Sequence, residues 1–258
     1  MKKLLVVLFS MFLMVALAGC GGSDTKNANP NKGKALRVGT DVNYPPFEFF
    51  QEKTKAYTGF EVDLVQAVAK EMGYDKVEFV NEAFTQMIPG LEANKYDVVI
   101  AGMNVTSERQ AKIDFSKSYI KDKVKVVAPL KAQIGDDAAA LAGKKVAVEE
   151  GSTSEKFAQD NKLSYVAVKG STQLVLDTVL KGEADAALVS ELSAKFLMTN
   201  QGYAKKVKFT GEKALVEENI AMGVKKGNSA LLEKLNTSLE NYRRTTTYAQ
   251  LKTTYFGK

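Results

Sequence analysis

The residue types that could do chemistry in this chain are acids, hydroxyls and amides, because it has no histidine and a single cysteine, Cys20. Zinc sites of the usual His and Cys kind, Ser-His-Asp triads and Cys-His pairs are thereby excluded. No Gly-rich loop of P-loop spacing is present, and we expect neither a cofactor nor a metal. A carboxylate-based hydrolase stays formally open, because four acidic residues could supply a pair: Glu48, Glu149, Glu150 and Glu191.

Arg109 has the clearest binding chemistry. Its guanidinium is planar and permanently charged, and it can hold a carboxylate through two parallel hydrogen bonds. It stands at the end of Thr106-Ser107-Glu108-Arg109, near a predicted helix start, where a positive charge opposes the helix macrodipole. A surface arginine that begins a helix is the plainer interpretation, but this placement favours a ligand role.

The elements that must position these residues alternate between β-type runs and helical periodicity, which predicts an α/β fold with largely parallel sheets. The predicted strands are 36–39, 77–80, 98–101, 145–148, 165–168 and 184–189. The predicted helices are 60–72, 84–91, a segment after Ser152, 174–180 and 231–239. We interpret the pattern as two βα assemblies joined by two β-like crossovers, with the C-terminal part returning to the first assembly.

Three segments together resemble the polar amino acid binding proteins of ABC importers. They are Asp41-Val42-Asn43-Tyr44-Pro45-Pro46-Phe47-Glu48-Phe49, Gly59-Phe60-Glu61-Val62-Asp63-Leu64 and the run from Asp97 to Arg109. Their order and separation are those of the family, and the resemblance extends from Leu36 to the C-terminus. It implies a type II periplasmic-binding-protein fold, two lobes on a two-strand hinge, with the ligand in the cleft and a permease with its ATPase as partner.

By this resemblance, Arg109 binds the carboxylate of the ligand. Ala101, Gly102 and Asn104 match strand-end positions that hold the amine and carboxylate, although Asn104 departs from the usual Ser or Thr. From the other lobe, Ser152 and Thr153 match a turn whose helix-start N–H groups suit an anion. Simple helix capping by Ser152 is the alternative, and both roles can coexist.

The same resemblance predicts which residues face the ligand side chain. Tyr44 and Phe84 match aromatic positions that sandwich it, although Phe84 could instead be a core residue. Asp41 matches a position that faces the distal cation in basic amino acid binders, or it could simply end a strand. Glu149 stands where glutamine-type members usually carry lysine, so Asp41 and Glu149 together favour arginine or lysine over glutamine.

The largest departure from the family lies at Ser190, where an Asp that pairs with the ligand's α-ammonium is typical. A serine keeps an acceptor but loses the charge. Glu191 could replace it, Ser190 and Asn104 could bind the amine neutrally, or the ligand could be unlike an ordinary α-amino acid. Because a buried ammonium without a counter-charge is costly, we expect Glu191 to supply the charge.

The N-terminus has the pattern of an export signal. Lys2 and Lys3 precede an apolar run, 4–18, too short for a comfortable membrane span and typical of a signal-peptide core. Small residues directly before Cys20 resemble the bacterial lipobox, whose cysteine becomes lipid-modified; an ordinary cleavage site with a chance cysteine is the alternative. We expect a signal peptide at 1–19, a lipidated flexible tether at 20–34, a first lobe at 35–122 and 224–258, hinge strands at 123–128 and 218–223, and a second lobe at 129–217.

The charge of the chain limits the classes of function that remain possible. Without Lys2 and Lys3 the chain has 34 basic and 30 acidic residues, a net charge of +4, and no Arg-rich or Lys-rich cluster, so nucleic-acid binding is not expected. We expect a monomer, exported and lipid-anchored at the membrane, that delivers a polar and basic L-amino acid to an ABC importer. A glutamine receptor, a dehydratase on the same fold and a sensing or adhesive lipoprotein stay open as alternatives.

Overall fold

The structure, a computed structural model, describes residues 30–257. A five-stranded mixed sheet forms the centre of the first lobe. In spatial order its strands are Lys76–Asn81 (β5), Ala35–Thr40 (β1), Val98–Val99 (β6), Gly223–Lys225 (β14) and Ile113–Phe115 (β7). β1 pairs in parallel with β5 and β6, whereas β14 is antiparallel to β6 and β7. The carboxyl ends of β1 and β6 therefore meet at one edge of the sheet.

Helices and a small antiparallel sheet cover the first lobe. The helices are Phe60–Glu71 (α1), Met87–Glu92 (α2), Ser107–Lys112 (α3), Ser229–Arg243 (α7) and Thr246–Phe256 (α8), and the small sheet is Asn43–Tyr44 (β2), Glu48–Gln51 (β3) and Ala56–Thr58 (β4). The predicted helix at 84–91 is divided: a 3-10 turn, Phe84–Gln86, precedes α2. In α1, Phe60, Leu64 and Val68 recur at helical spacing and are fully buried, which explains why this helix anchors the lobe.

The second lobe is built on a second mixed sheet. Its strands in order are Ser164–Val168 (β10), Lys145–Glu149 (β9), Ala186–Ser190 (β11), Ile120–Pro129 (β8) and Val207–Phe209 (β12), and its helices are Thr153–Asp160 (α4), Thr172–Leu180 (α5) and Glu191–Asn200 (α6). β9, β10 and β11 are parallel, so their carboxyl ends share an edge. α4 and α6 begin at the ends of β9 and β11, which places both helix starts beside that edge.

Two antiparallel strands connect the lobes. Val216–Ile220 (β13) pairs with the first half of β8, from Val216 opposite Val124 to Ile220 opposite Ile120. The sequence predicts crossovers at 123–128 and 218–223; in the structure the paired segments are 120–124 and 216–220. The second half of β8 belongs to the second sheet, where it pairs with β11 and β12.

Residues 1–29, with the predicted signal peptide, Cys20 and most of the predicted tether, lie outside the described residues. Between residues 30 and 257, no helix is both long and apolar enough to cross a membrane. The same range holds no group of three or more acidic or cysteine side chains arranged to bind a metal ion.

Candidate ligand-binding site

The cleft between the lobes brings together eleven of the twelve residues that the sequence predicts for the site. They are Asp41, Tyr44, Phe84, Ala101, Gly102, Asn104, Arg109, Glu149, Ser152, Thr153 and Ser190. The exception is Glu191. The eleven come from the carboxyl ends of β1, β5, β6, β9 and β11 and the segments that follow them, as expected for ligand sites of open α/β sheets.

Arg109 lies across the mouth of the cleft and contacts both lobes. Its Nη1 donates to the Asn104 carbonyl oxygen at 2.9 Å, and its Nη2 donates to the Gly151 carbonyl oxygen of the second lobe at 3.0 Å. The guanidinium also lies 5.2 Å from the centroid of the Phe84 ring. Burial lowers the pKa of Arg109, but nearby acids oppose this shift. The side chain is thus held in one orientation, with further N–H donors left to bind an anion.

The start of α4 supplies the second-lobe side of the cleft. Ser152 is the N-cap, because its Oγ accepts a hydrogen bond from the Glu155 N–H. Its hydroxyl donates its one proton to the Glu149 carbonyl oxygen at 2.7 Å, so in this structure the hydroxyl of Ser152 serves the turn and the helix cap. Gly151 precedes the cap with φ of +76°, a conformation that glycine adopts at little cost.

Tyr44 and Gly102 approach each other closely at the base of the cleft. Gly102 has φ of +56°, and a Cβ added to it would lie 2.9 Å from Tyr44 Cε1. The Gly102 N–H points away from the cleft and donates to both carboxylate oxygens of Glu61, at 3.1 and 3.0 Å. The absence of a side chain at Gly102 is therefore what allows the Tyr44 ring to cover the strand end.

Asp41 and Glu149 bring negative charge into the cleft from opposite lobes. Asp41 accepts hydrogen bonds from Asn43 Nδ2 and the Phe84 N–H, but burial still raises its pKa. Burial, reinforced by the charge of Asp41, raises the pKa of Glu149 well above its ordinary value. The charge of Asp41 thus disfavours ionisation of Glu149, an effect that a bound cation would offset.

Two further buried acids, Glu48 and Glu61, were not part of the predicted site. Glu48 lines the cleft and is 1% exposed, and neither of its carboxyl oxygens has a hydrogen-bond partner within the described residues. Glu61 also accepts a hydrogen bond from the Tyr119 hydroxyl at 2.5 Å. Burial, together with the charge of Glu61, raises the pKa of Glu48 well above its ordinary value and thus favours its uncharged form.

Glu191 does not face the cleft. Its carboxylate lies 2.8 Å from Lys195 Nζ and 3.7 Å from Lys125 Nζ. Burial opposes its ionisation, but the hydrogen bond from Lys195 and the charges of both lysines outweigh that effect and lower its pKa. The reason is geometric: Glu191 is the first residue of α6, and its side chain turns along that helix toward the residue four positions on.

Ser190 contacts a different acid, Asp122, on the connecting strand β8. The Ser190 hydroxyl donates to Asp122 Oδ2 at 2.5 Å, and the Leu192 N–H donates to Oδ1 at 3.2 Å. Burial raises the pKa of Asp122 to about 6 in spite of these hydrogen bonds. Asp122 stands behind Ser190, outside the residues that line the cleft.

Glu218, on the other connecting strand, lines the cleft and was missed by the sequence analysis. Asn104 Nδ2 donates to Glu218 Oε1 at 2.5 Å, and the Thr153 hydroxyl donates to the same oxygen. Burial raises the pKa of Glu218 to about 7. A signal existed: in Val216-Glu217-Glu218-Asn219-Ile220, strand alternation puts Glu218 on the same face as the apolar Val216 and Ile220.

Two α/β lobes, two connecting strands and a cleft lined by strand ends and helix starts define a type II periplasmic binding protein. Residues 36–258 match the family described as bacterial extracellular solute-binding proteins, family 3. The chain belongs to this family, and the fold and family drawn from the sequence are confirmed.

Individual relatives agree with this placement. The chain is 30% identical to ABC transporter arginine-binding protein 1 of Escherichia coli K12 over 227 residues, 86% of this chain and 90% of that protein. It is 31% identical to the histidine-binding periplasmic protein of Salmonella typhimurium LT2 over 265 residues, 99% and 97% of the two chains. These relatives are solute-binding proteins of amino acid transport.

Solved structures show the same fold. An ancestral arginine-binding protein bound to glutamine has a TM-score of 0.79 and 35% identity, with 87% of this chain and 98% of that chain covered. An ancestral amino acid-binding protein described as a precursor of cyclohexadienyl dehydratase has a TM-score of 0.76 and 33% identity, covering 86% and 95%.

Proposed function

We propose that this protein binds a basic L-amino acid, arginine or lysine, in the interlobe cleft and delivers it to an ABC importer, without catalysing a reaction. The observation that carries the proposal is the pair of cleft acids Asp41 and Glu149, one from each lobe. Four carboxyl groups line the cleft, and Arg109 is the one basic residue among its lining residues in the described part of the chain. One guanidinium suits one ligand carboxylate, and the excess of acids suits a ligand with an additional cation.

Electrostatics supports a cationic ligand over a neutral one. Burial raises the pKa of Asp41 and of Glu149, and the charge of Asp41 adds to the shift of Glu149. A guanidinium or ammonium group placed between them would favour both ionised forms and gain charge-assisted hydrogen bonds. The Phe84 and Tyr44 rings would border the methylene stem. The relatives named for arginine are consistent with this choice, whereas the neighbour solved with glutamine keeps a neutral ligand as the second candidate.

Ligand identity is tested by thermal shift against the twenty amino acids, followed by calorimetry. Arginine or lysine should raise Tm, since a ligand at 100 times its Kd stabilises a folded protein by about 2.7 kcal/mol. Tight binding of glutamine with no binding of arginine would overturn the basic-ligand proposal. Chemical analysis of the ligand after incubation tests the proposal of binding without catalysis, because a dehydratase would consume its substrate.

The role of the acid pair is tested with arginine and citrulline, which differ in charge but closely match in shape. The unmodified protein should prefer arginine. Asp41→Asn and Glu149→Gln should each reduce this preference by about 10-fold or more, because each removes one charged acceptor. Glu150→Gln is the matched control, because Glu150 adjoins Glu149 but is absent from the cleft lining.

We further propose that Cys20 carries a lipid that keeps the receptor beside its importer. The support is the order of basic residues, apolar run and small residues before Cys20. Cys20→Ala should release the protein from the membrane fraction and abolish incorporation of a labelled fatty acid. Labelling that persists in this variant would contradict the anchor.

A further inference from the structure

The sequence leaves the ammonium end of the ligand without an obvious counter-charge, because Ser190 stands at the family's aspartate position and Glu191 points elsewhere. A residue that replaces this aspartate has to be acidic, buried, in contact with the cleft and within reach of the strand end that carries Asn104. Of the acids that line the cleft, Asp41 and Glu149 are proposed to bind the side chain of the ligand, and neither carboxyl oxygen of Glu48 forms a hydrogen bond with Asn104 within the described residues. Glu218 is the acid that fulfils all the conditions.

Glu218 is well placed for this role. Its side chain is 6% exposed, and within residues 30–257 its hydrogen-bond donors are two neutral groups, the Asn104 amide and the Thr153 hydroxyl, both directed at Oε1. No lysine or arginine within the described chain forms an ion pair with it. A buried carboxylate that accepts only neutral hydrogen bonds still gains strongly from a cation.

Asn104 provides a second, independent observation. It is 8% exposed and its Nδ2 donates to Glu218 and to Thr153, but its Oδ1 is buried without a hydrogen-bond donor in the described structure. A buried amide oxygen without a donor costs free energy and needs one. Because Glu218 and Thr153 orient the amide nitrogen, they also fix the direction of the free oxygen.

We propose that Glu218 and the Oδ1 atom of Asn104 form the binding site for the α-ammonium group of the ligand. This inference rests on the proposed function, since it needs a ligand with an α-amine, but it does not need a basic side chain. The counter-charge thus lies on connecting strand β13 instead of on the second lobe. Glu218 also links the first lobe, through Asn104, to the second, through Thr153, so an ammonium bound there contacts the groups that join the lobes.

The experiment removes the charge from the protein and the amine from the ligand in a double cycle. Unmodified protein and Glu218→Gln are titrated with L-arginine and with 5-guanidinopentanoic acid, which is arginine without its α-amine. In the unmodified protein, loss of the amine should weaken binding by about 10- to 100-fold, the range for a hydrogen bond to a charged group. Glu218→Gln should bind arginine more weakly by a similar factor. In this variant, removal of the amine from the ligand should cause a much smaller further loss of affinity.

A purely structural role for Glu218 gives a different result. If Glu218 only joins the lobes, Glu218→Gln will weaken both ligands equally, and the inference is overturned. Glu217→Gln is the matched control, since Glu217 is the next residue on β13 and its side chain is 69% exposed beside Lys123; both ligands should bind it as they bind the unmodified protein.

A second variant guards against a folding defect in Glu218→Gln. Glu218→Asp keeps the charge but shortens the side chain by one methylene. It should lose only part of the discrimination between the two ligands, and its Tm should be that of the unmodified protein. Discrimination as small as that of Glu218→Gln, in a variant that is folded and keeps the charge, would overturn the inference.

Failure of the inference is distinguishable from failure of the basic-ligand proposal. If glutamine binds in place of arginine, the same cycle is run with L-glutamine and glutaramic acid, which lacks the amine; the basic ligand is then wrong, and Glu218 is still tested. If no α-amino acid stabilises the protein, both proposals are overturned.

Discussion

Glu218 on β13 and Asp122 on β8 lie directly opposite each other in the antiparallel pair that connects the lobes, and their residues are 6% and 4% exposed. Like charges in this arrangement destabilise a strand pair. Burial raises the pKa of Glu218 to about 7, and the charge of Asp122 contributes to the shift. The connection between the lobes therefore contains two acids that hold their protons more tightly than in an unfolded chain.

This pair predicts how the stability of the unliganded protein depends on pH. An acid whose pKa is higher in the folded state contributes stability below its unfolded pKa, and that contribution is lost as pH rises through the folded pKa. For Glu218 the window runs from 4.5 to about 7, and for Asp122 from 3.8 to about 6. The free energy of unfolding, measured with urea, should thus fall across this range.

Glu218→Gln should flatten the fall between about pH 4.5 and 7, because an amide does not titrate there. Glu217→Gln is the control and should keep the slope of the unmodified protein. Parallel curves for the unmodified protein and Glu218→Gln would show that Glu218 does not retain its proton in the folded state.

Arg109 should contribute to affinity by binding the carboxylate of the ligand. In Arg109→Lys a single ammonium cannot hold the Asn104 and Gly151 carbonyl oxygens and also bind a carboxylate at two points. Calorimetry should show arginine binding weakened by about 10-fold or more, with little change for agmatine, which lacks the carboxylate. Equal losses for both ligands would instead mean that Arg109 acts by holding the lobes together. Lys112→Ala, an exposed change on the same helix, should affect neither.

Replacement by glutamine should affect the stability of the protein much less at Glu48 than at Glu61. Glu48→Gln should change the free energy of unfolding at neutral pH little, because burial already favours the uncharged form of Glu48 and the amide is uncharged and of similar shape. Glu61→Gln should cost about 1 to 3 kcal/mol, because an amide cannot accept from the Gly102 N–H with both atoms while also serving the Tyr119 hydroxyl. Urea unfolding of the two variants measures the difference, and equal costs would show that the hydrogen bonds of Glu61 do not set its contribution to stability.

Gly102→Ala should damage the cleft as well as the backbone. Its positive φ alone makes alanine costly, and the new Cβ would also lie 2.9 Å from Tyr44 Cε1. Gly182→Ala is a matched control, with φ of +78° and nothing within 4 Å of the added Cβ. Both variants should unfold more easily by about 1 kcal/mol or more, but only Gly102→Ala should weaken arginine binding in calorimetry.

Much of the fold was predictable because it depends on local patterns. The helical spacing of Phe60, Leu64 and Val68 and the alternating runs around β1, β5 and β9 identify which faces are buried, whatever they pack against. The crossovers were displaced by a few residues because β8 continues from the connection into the second sheet without a local break. The small sheet β2 to β4 and helices α6 and α8 were not predicted. Their patterns of apolar and polar residues are too short or too mixed to indicate a secondary structure without the elements they pack against.

The sequence by itself determined the family, the α/β architecture and the strand-end residues such as Arg109 and Asp41, because these signals lie in contiguous segments and follow chain order. The tertiary structure alone decided which further acids, Glu218 and Asp122, contact the site residues. Asn104 and Glu218 are 114 positions apart, and Ser190 and Asp122 are 68 apart. Such pairs meet only when the connecting strands pair in register and bury their carboxyl groups, and burial gives an acid its altered pKa and its need for a cation.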